Sequence, residues 1–171
     1  ANIFGLMPEP IESRGATQGH YVDEFVGENI LLESNPILAG AFFQTFPIYG
    51  QEAQLLMKSA NRFISTGSLV RDTSEGTITK PSKGSAQIHY DLNELDRGRL
   101  IKGLRYGAEI WLNGAGAERI VPALFGTNWC RTLEEAHALL NSNLEAGRLS
   151  LYSSHPQASC RVGRACDETG K

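Results

Sequence analysis

Apolar positions recur along this sequence at two spacings, and the switch between them divides the chain into strands and helices. Asn29–Glu33 is a short apolar run of strand type. Ser34-Asn35-Pro36 then supplies a cap residue and a proline at the first helical position, which predicts a short helix through Phe43. Over Gly50–Arg62, Leu55, Leu56 and Ala60 share one helical side, as in a helix packed on a sheet. Phe63–Arg71 reads as a strand. The polar stretch Asp72–Gly76 ends in glycine and can reverse the chain into the β-branched segment Thr77-Ile78-Thr79, which predicts a hairpin. Pro81–Gly84 makes a second turn, and Ala86–Tyr90 alternates as a half-buried strand does.

The clearest helix follows Asn93, where Leu100, Ile101, Leu104, Ala108 and Trp111 recur at three- and four-residue spacing up to the Gly114 and Gly116 pair. Thr132 with Glu135 forms a capping box ahead of Leu133, Ala136, Leu140 and Leu144, with Gly147 as the stop. Leu149–Ser153 reads as a short strand leading into His155. Residues 1–28, with Pro8, Pro10, Gly15, Gly19 and Gly27 closely spaced, read as a loop-rich lead-in. Grouped strands with helices between the groups predict an α+β fold, an antiparallel sheet with helices packed on one face. The other face is left for a partner or a ligand.

Composition narrows the class of function. A chain of 171 residues, 41% hydrophobic and 20% charged, suits one globular domain. A net charge of -3 and a pI near 5.8 offer no basic surface for a phosphate backbone, so no nucleic-acid partner is expected. No apolar run approaches the ~20 residues of a membrane span, although a larger parent could still associate with a membrane. Three cysteines, Cys130, Cys160 and Cys166, are too few and too far apart for a disulfide scaffold, which favours a reducing, cytoplasmic setting. His155, Cys160 and Cys166 lack the close ligand pair and the fourth ligand of a zinc site, so no metal is expected. An alanine at position 1 and a final Asp-Glu-Thr-Gly-Lys that reads as a turn suggest a segment of something longer.

The stretch that carries chemistry is Ser153-Ser154-His155-Pro156-Gln157-Ala158-Ser159-Cys160-Arg161-Val162-Gly163, followed by Asp167-Glu168-Thr169-Gly170. A histidine at a strand end, fixed by the following proline, can take a proton near neutral pH. On spacing alone the plainer reading is favoured, that His155 caps the strand or satisfies a backbone carbonyl. The stretch, however, resembles the His-x-x-Gly-Thr-Cys-Arg-Met-Gly signature of glucose-methanol-choline (GMC) oxidoreductases and the Asp-x-x-Gly turn after it. Leu69-Val70-Arg71-Asp72, Gly76, Ile88-His89-Tyr90-Asp91-Leu92, Leu100-Ile101-Lys102-Gly103-Leu104-Arg105 and Ala115-Gly116-Ala117 are similar to the substrate domain of the branch with long-chain fatty alcohol oxidases.

That resemblance, over roughly residues 28–171, implies a GMC substrate-binding domain over 29–154, with 155–171 starting the signature segment that returns to the FAD domain. It implies that His155 is the base for an alcohol hydroxyl, that Pro156 and Gln157 are candidates to lie close to the flavin, and that FAD and its binding domain belong to the same protein. The expected substrate is an apolar alcohol. Ala158-Ser159 stands where the family has Gly-Thr, Val162 where it has methionine, and Arg119–Thr132 is short where some relatives carry inserts. No Gly-x-Gly-x-x-Gly turn for a pyrophosphate is present, so the Rossmann-like half is missing. The family's second active-site residue, Asn or His, falls beyond Lys171. This chain alone is therefore expected to be inactive. The alternative is a stand-alone module that binds an apolar ligand and has lost catalysis.

Phe42, Phe43, Phe46 and Tyr49 could line an apolar pocket, though core packing is the commoner use of such a cluster. His89 is expected on the solvent side of its strand, and His20 and His137 at the surface. Arg71-Asp72 reads as an exposed pair of little energetic weight. Arg161 is expected to hold the signature loop.

Overall fold

The structure, a computed structural model, describes residues 1–12, 19–36, 45–141, 147–153 and 160–171. Its centre is a five-stranded, wholly antiparallel sheet built from β1 (Asn2–Leu6), β2 (Tyr21–Val22), β3 (Ile30–Ser34), β4 (Phe63–Val70) and β7 (Arg119–Pro122), in the order β2-β3-β4-β1-β7. The helices are α1 (Gly50–Met57), α2 (Glu94–Glu109) and α3 (Leu133–Asn141). A separate pair, β5 (Thr77–Thr79) and β6 (Gln87–His89), stands apart from the sheet. The fold is α+β.

Period-two alternation assigns the strands' side chains to the two faces. Ile3 and Ile120 join Leu104 and Ala108 of α2 and Ala136 and Leu140 of α3 in one apolar cluster. Helix α2 lies almost on the strands: a Cβ on Gly103 would fall 2.0 Å from Ser68 Oγ, and one on Gly107 would fall 2.8 Å from Ile3. These glycines permit the close approach, so no larger residue fits without separating the layers. Asn93 caps α2 by accepting from the Asp96 amide at 2.8 Å. In α3 the Thr132 hydroxyl accepts from the Glu135 amide, and the Glu135 carboxylate accepts from the amide of Arg131.

Several sequence expectations change. The lead-in 1–28 opens with β1, an inner strand of the sheet with all five residues buried. A doubly covered strand shows no polar alternation. Gly5 leaves room for Ile64, whose side chain would lie 2.8 Å from a Cβ there. β5 pairs with β6 and not with the strand ending at Val70, so the expected hairpin across Asp72–Gly76 does not form. β6 is exposed along its length rather than half-buried. Leu149–Ser153 makes a single bridge, Leu149 to Leu124, in place of a strand. On α1 only Leu56 is buried, while Leu55 faces solvent. The helix expected through Phe43, and the aromatics Phe42 and Phe43, lie outside the described residues beyond Pro36.

Candidate functional site

The sheet face turned away from α2 and α3 has two halves. At one end Phe4, Leu6, Phe63 and Val121 are covered by Phe46, Ile48 and Leu56, with Trp129 at the margin. Phe46 meets Phe4 and Phe63 edge-on, with ring centroids 5.3 and 5.5 Å apart, so it serves the core; Tyr49 is exposed. Arg119 stacks over Trp129 at 4.4 Å, and the indole donates to Glu52 at 3.1 Å.

The other half of this face is polar. By register, Asn2 lies opposite Gly67, Glu33 also lies opposite Gly67, and Ser65 is the next residue of β4 on the same side. Asn2 is only 5% exposed, yet its Oδ1 accepts two hydrogen bonds, from Asn35 Nδ2 at 3.0 Å and from the Tyr152 hydroxyl at 2.8 Å. Gly67 makes the first of these possible, since a Cβ there would stand 2.8 Å from Asn35 Nδ2. The buried Ser65 hydroxyl has no hydrogen-bond partner among the described residues, an unusual state for a buried polar atom. The Tyr152 phenol is raised above its ordinary value, first by burial and further by the Glu33 charge, against the opposing effect of its bond to Asn2.

Tyr152 is thereby tied to the middle of the sheet three residues before His155. His155, Pro156 and Gln157 themselves lie outside the described residues, as do Ala158 and Ser159. The chain is described again from Cys160. There the Arg161 carbonyl accepts from the amides of Arg164 and Ala165 at 3.0 and 2.8 Å, and Gly163 donates to the Cys166 carbonyl. The Cys166 thiol donates to the Cys160 carbonyl at 3.3 Å. Asp167 then accepts from the Thr169 amide, the Thr169 hydroxyl and the Lys171 amide, closing the Asp-x-x-Gly turn, with Gly170 at a φ of 81°. The hydrogen bond from the Lys171 amide, followed by those from Thr169, holds this carboxyl below its ordinary value. Cys130 differs from the other two cysteines: it is buried, and burial together with the Glu135 charge pushes its thiol up to about 11.

A second buried knot governs the loop that leaves β4. Asp96 in the first turn of α2 is fully buried. Its Oδ2 accepts from the amides of Thr73 and Ser74 at 2.7 and 2.8 Å and from their hydroxyls at 3.1 and 2.6 Å, while Oδ1 faces Arg99 at 2.9 Å. Burial alone would raise this carboxyl, but the bonds from Ser74, Thr73 and Arg99 outweigh it and bring it down to about 2. Arg71 and Asp72 are both exposed, and Asp72 accepts from the Tyr90 hydroxyl at 2.6 Å. His89 and His20 are exposed; the ring of His89 sits 3.4 Å from the Thr79 hydroxyl. His137 is half-buried, 3.7 Å from Glu109.

A dinucleotide cradle needs a parallel strand-turn-helix unit whose glycines admit the pyrophosphate to a helix N-terminus. Among the described residues every strand pair is antiparallel and no such turn occurs, so these residues do not fit the pyrophosphate end of FAD. No helix among the described residues is long and apolar enough to cross a membrane.

No protein-family model matches the chain, and no solved structure matches it. Among curated proteins it is similar to two described as uncharacterized GMC-type oxidoreductases of Mycobacterium tuberculosis, from strains CDC 1551 / Oshkosh and H37Rv. Each is 26% identical over 163 residues. The aligned region covers 94% of this chain and 25% of each relative, so the chain spans about a quarter of the length of the curated proteins it matches. Weak but nearly end-to-end, the similarity supports the GMC oxidoreductase family.

Proposed function

We propose that this chain is the substrate-side sheet of an FAD-dependent GMC-type alcohol oxidoreductase, closest to the branch with long-chain fatty alcohol oxidases, and that His155 is its base. The observation that carries this reading is the continuous similarity to GMC-type oxidoreductases over 94% of the chain, which includes the stretch around His155. The tie between Tyr152 and Asn2 supports it further, because it brings the approach to His155 against the polar half of the sheet.

FAD would be held by the remaining protein, through the glycine-rich cradle that this chain lacks, and would supply the hydride acceptor. The residues here have the complementary task. His155 takes the proton from the alcohol oxygen, which loads electron density onto the carbinol carbon and eases departure of its hydrogen as hydride. The sheet holds the alcohol so that oxygen, carbon and base stay aligned. Pro156 and Gln157 follow the base directly in sequence and would be the residues of this chain near the flavin.

The full-length protein, purified, is expected to carry bound flavin and to reduce an artificial electron acceptor when given apolar primary alcohols. A full-length protein that holds an apolar ligand in defined ratio with no flavin would instead favour the non-catalytic binding module.

A further inference from the structure

Two of the three cysteines share one tight loop. Cys160 is exposed and Cys166 half-buried, whereas Cys130 is only 4% exposed in the core beneath α3. Six positions separate Cys160 from Cys166, yet the fold brings the Cys166 sulfur within 3.3 Å of the Cys160 carbonyl oxygen. The loop between them is shaped by its own backbone. The Arg161 carbonyl gathers the amides of Arg164, Ala165 and Cys166, and Val162 bridges to Cys166. Gly163 donates to the Cys166 carbonyl at 2.8 Å from a φ of 76°, a left-handed conformation that glycine adopts without strain. Among the described residues no group of histidines, cysteines and carboxylates could hold a metal ion, so the two thiols have each other as reaction partners.

We propose that Cys160 and Cys166 form a reversible thiol–disulfide site that responds to a hydroperoxide. The more exposed Cys160 attacks as thiolate; its sulfur bonds to one peroxide oxygen, the O–O bond breaks and, with hydrogen peroxide, water leaves. The Cys166 sulfur then attacks the resulting sulfenic acid, the S–O bond breaks, and a second water leaves as the S–S bond forms. Two thiols have lost two electrons and two protons, and one peroxide has become two waters. A disulfide needs its two Cβ atoms about 4 Å apart, and the hydrogen bonds of the loop hold the two residues side by side before any oxidation. A neighbouring thiol also stops the chemistry at the disulfide, where an unpaired exposed cysteine runs on to irreversible sulfinic and sulfonic acids. The site stands independently of the alcohol oxidoreductase reading.

The test treats the full-length protein with hydrogen peroxide, blocks the remaining thiols with N-ethylmaleimide, and maps tryptic peptides by mass spectrometry. Trypsin cuts after Arg161 and Arg164, between the two cysteines, so the disulfide appears as a linked peptide pair. The pair is expected in wild type, released by dithiothreitol, and formed several-fold more slowly in concentrated urea, where the loop is lost. In Cys166→Ser the reaction is expected to halt at Cys160 sulfenic acid, trapped as its dimedone adduct. Wild-type protein in which both cysteines carry maleimide after peroxide overturns the proposal, as does Cys160 driven to sulfonic acid or linked to any other cysteine. Equal rates in urea and buffer would overturn it too, because chain proximity alone would then account for the link.

Discussion

Replacing His155 with glutamine in the full-length protein is expected to lower kcat by roughly 100- to 10,000-fold, the usual worth of one positioned proton acceptor. Glutamine keeps a hydrogen-bonding group of similar reach and cannot accept the proton, so the alcohol still binds and KM should change far less than kcat. Flavin should remain bound, because on the proposed reading the pyrophosphate would be held by other parts of the protein. The rate of alcohol-dependent acceptor reduction, together with the flavin absorbance of the purified variant, decides the matter. Near-equal kcat values for the two proteins would leave the plainer role for His155, a strand cap.

The largest stability effect is expected at Asp96. Asp96→Asn keeps the shape but turns an NH2 towards donors, or leaves the Thr73 and Ser74 groups facing a weaker acceptor, and it removes the partner of Arg99. Breaking a buried charged network in this way costs about 3 kcal/mol. The pH dependence carries a distinct signature. The folded carboxyl sits at about 2 against an ordinary 3.8, so it is depressed on folding. Its contribution is therefore complete above the ordinary value and is lost as pH falls from there towards 2. Urea denaturation should show a wide gap between wild type and Asp96→Asn at neutral pH that narrows below pH 4. A gap that stays constant down to the acid limit would mean the carboxylate charge is not what holds the loop.

The helices were the most legible part of this sequence. Asn93 and Thr132 announced two of them through caps that act within a few residues, and Leu104, Ala108, Ala136 and Leu140 fall on the buried sides that the spacing predicted. Local chemistry of this kind needs no knowledge of distant chain. β1 was hidden for the opposite reason: it earns its place by pairing with β4 and β7, some sixty and more than a hundred residues away. β7 was missed because four residues ending in Pro122 make a weak strand signal. The knot around Asp96 also escaped the sequence reading. A carboxylate in a first helical turn usually looks like a response to the helix dipole, and only the folded chain brings Thr73 and Ser74 to it.

The polar half of the sheet was illegible for the same reason as β1. Asn2, Asn35, Ser65 and Tyr152 are scattered over 150 residues, and none belongs to a motif. The segment around His155 was read from its order of residue types alone, because a signature is local; it lies outside the described residues. The polar cluster holds Tyr152, through its hydroxyl on Asn2, at the last described stretch before that segment.

The central claim, that this sheet presents an alcohol to a flavin with His155 as base, is tested most directly by anaerobic mixing of the full-length flavoprotein with an apolar primary alcohol. The account predicts that the flavin absorbance bleaches, and that deuterium on the carbinol carbon slows the bleaching several-fold, because that C–H bond breaks in the hydride step. A flavin that stays oxidised with every alcohol offered would contradict it.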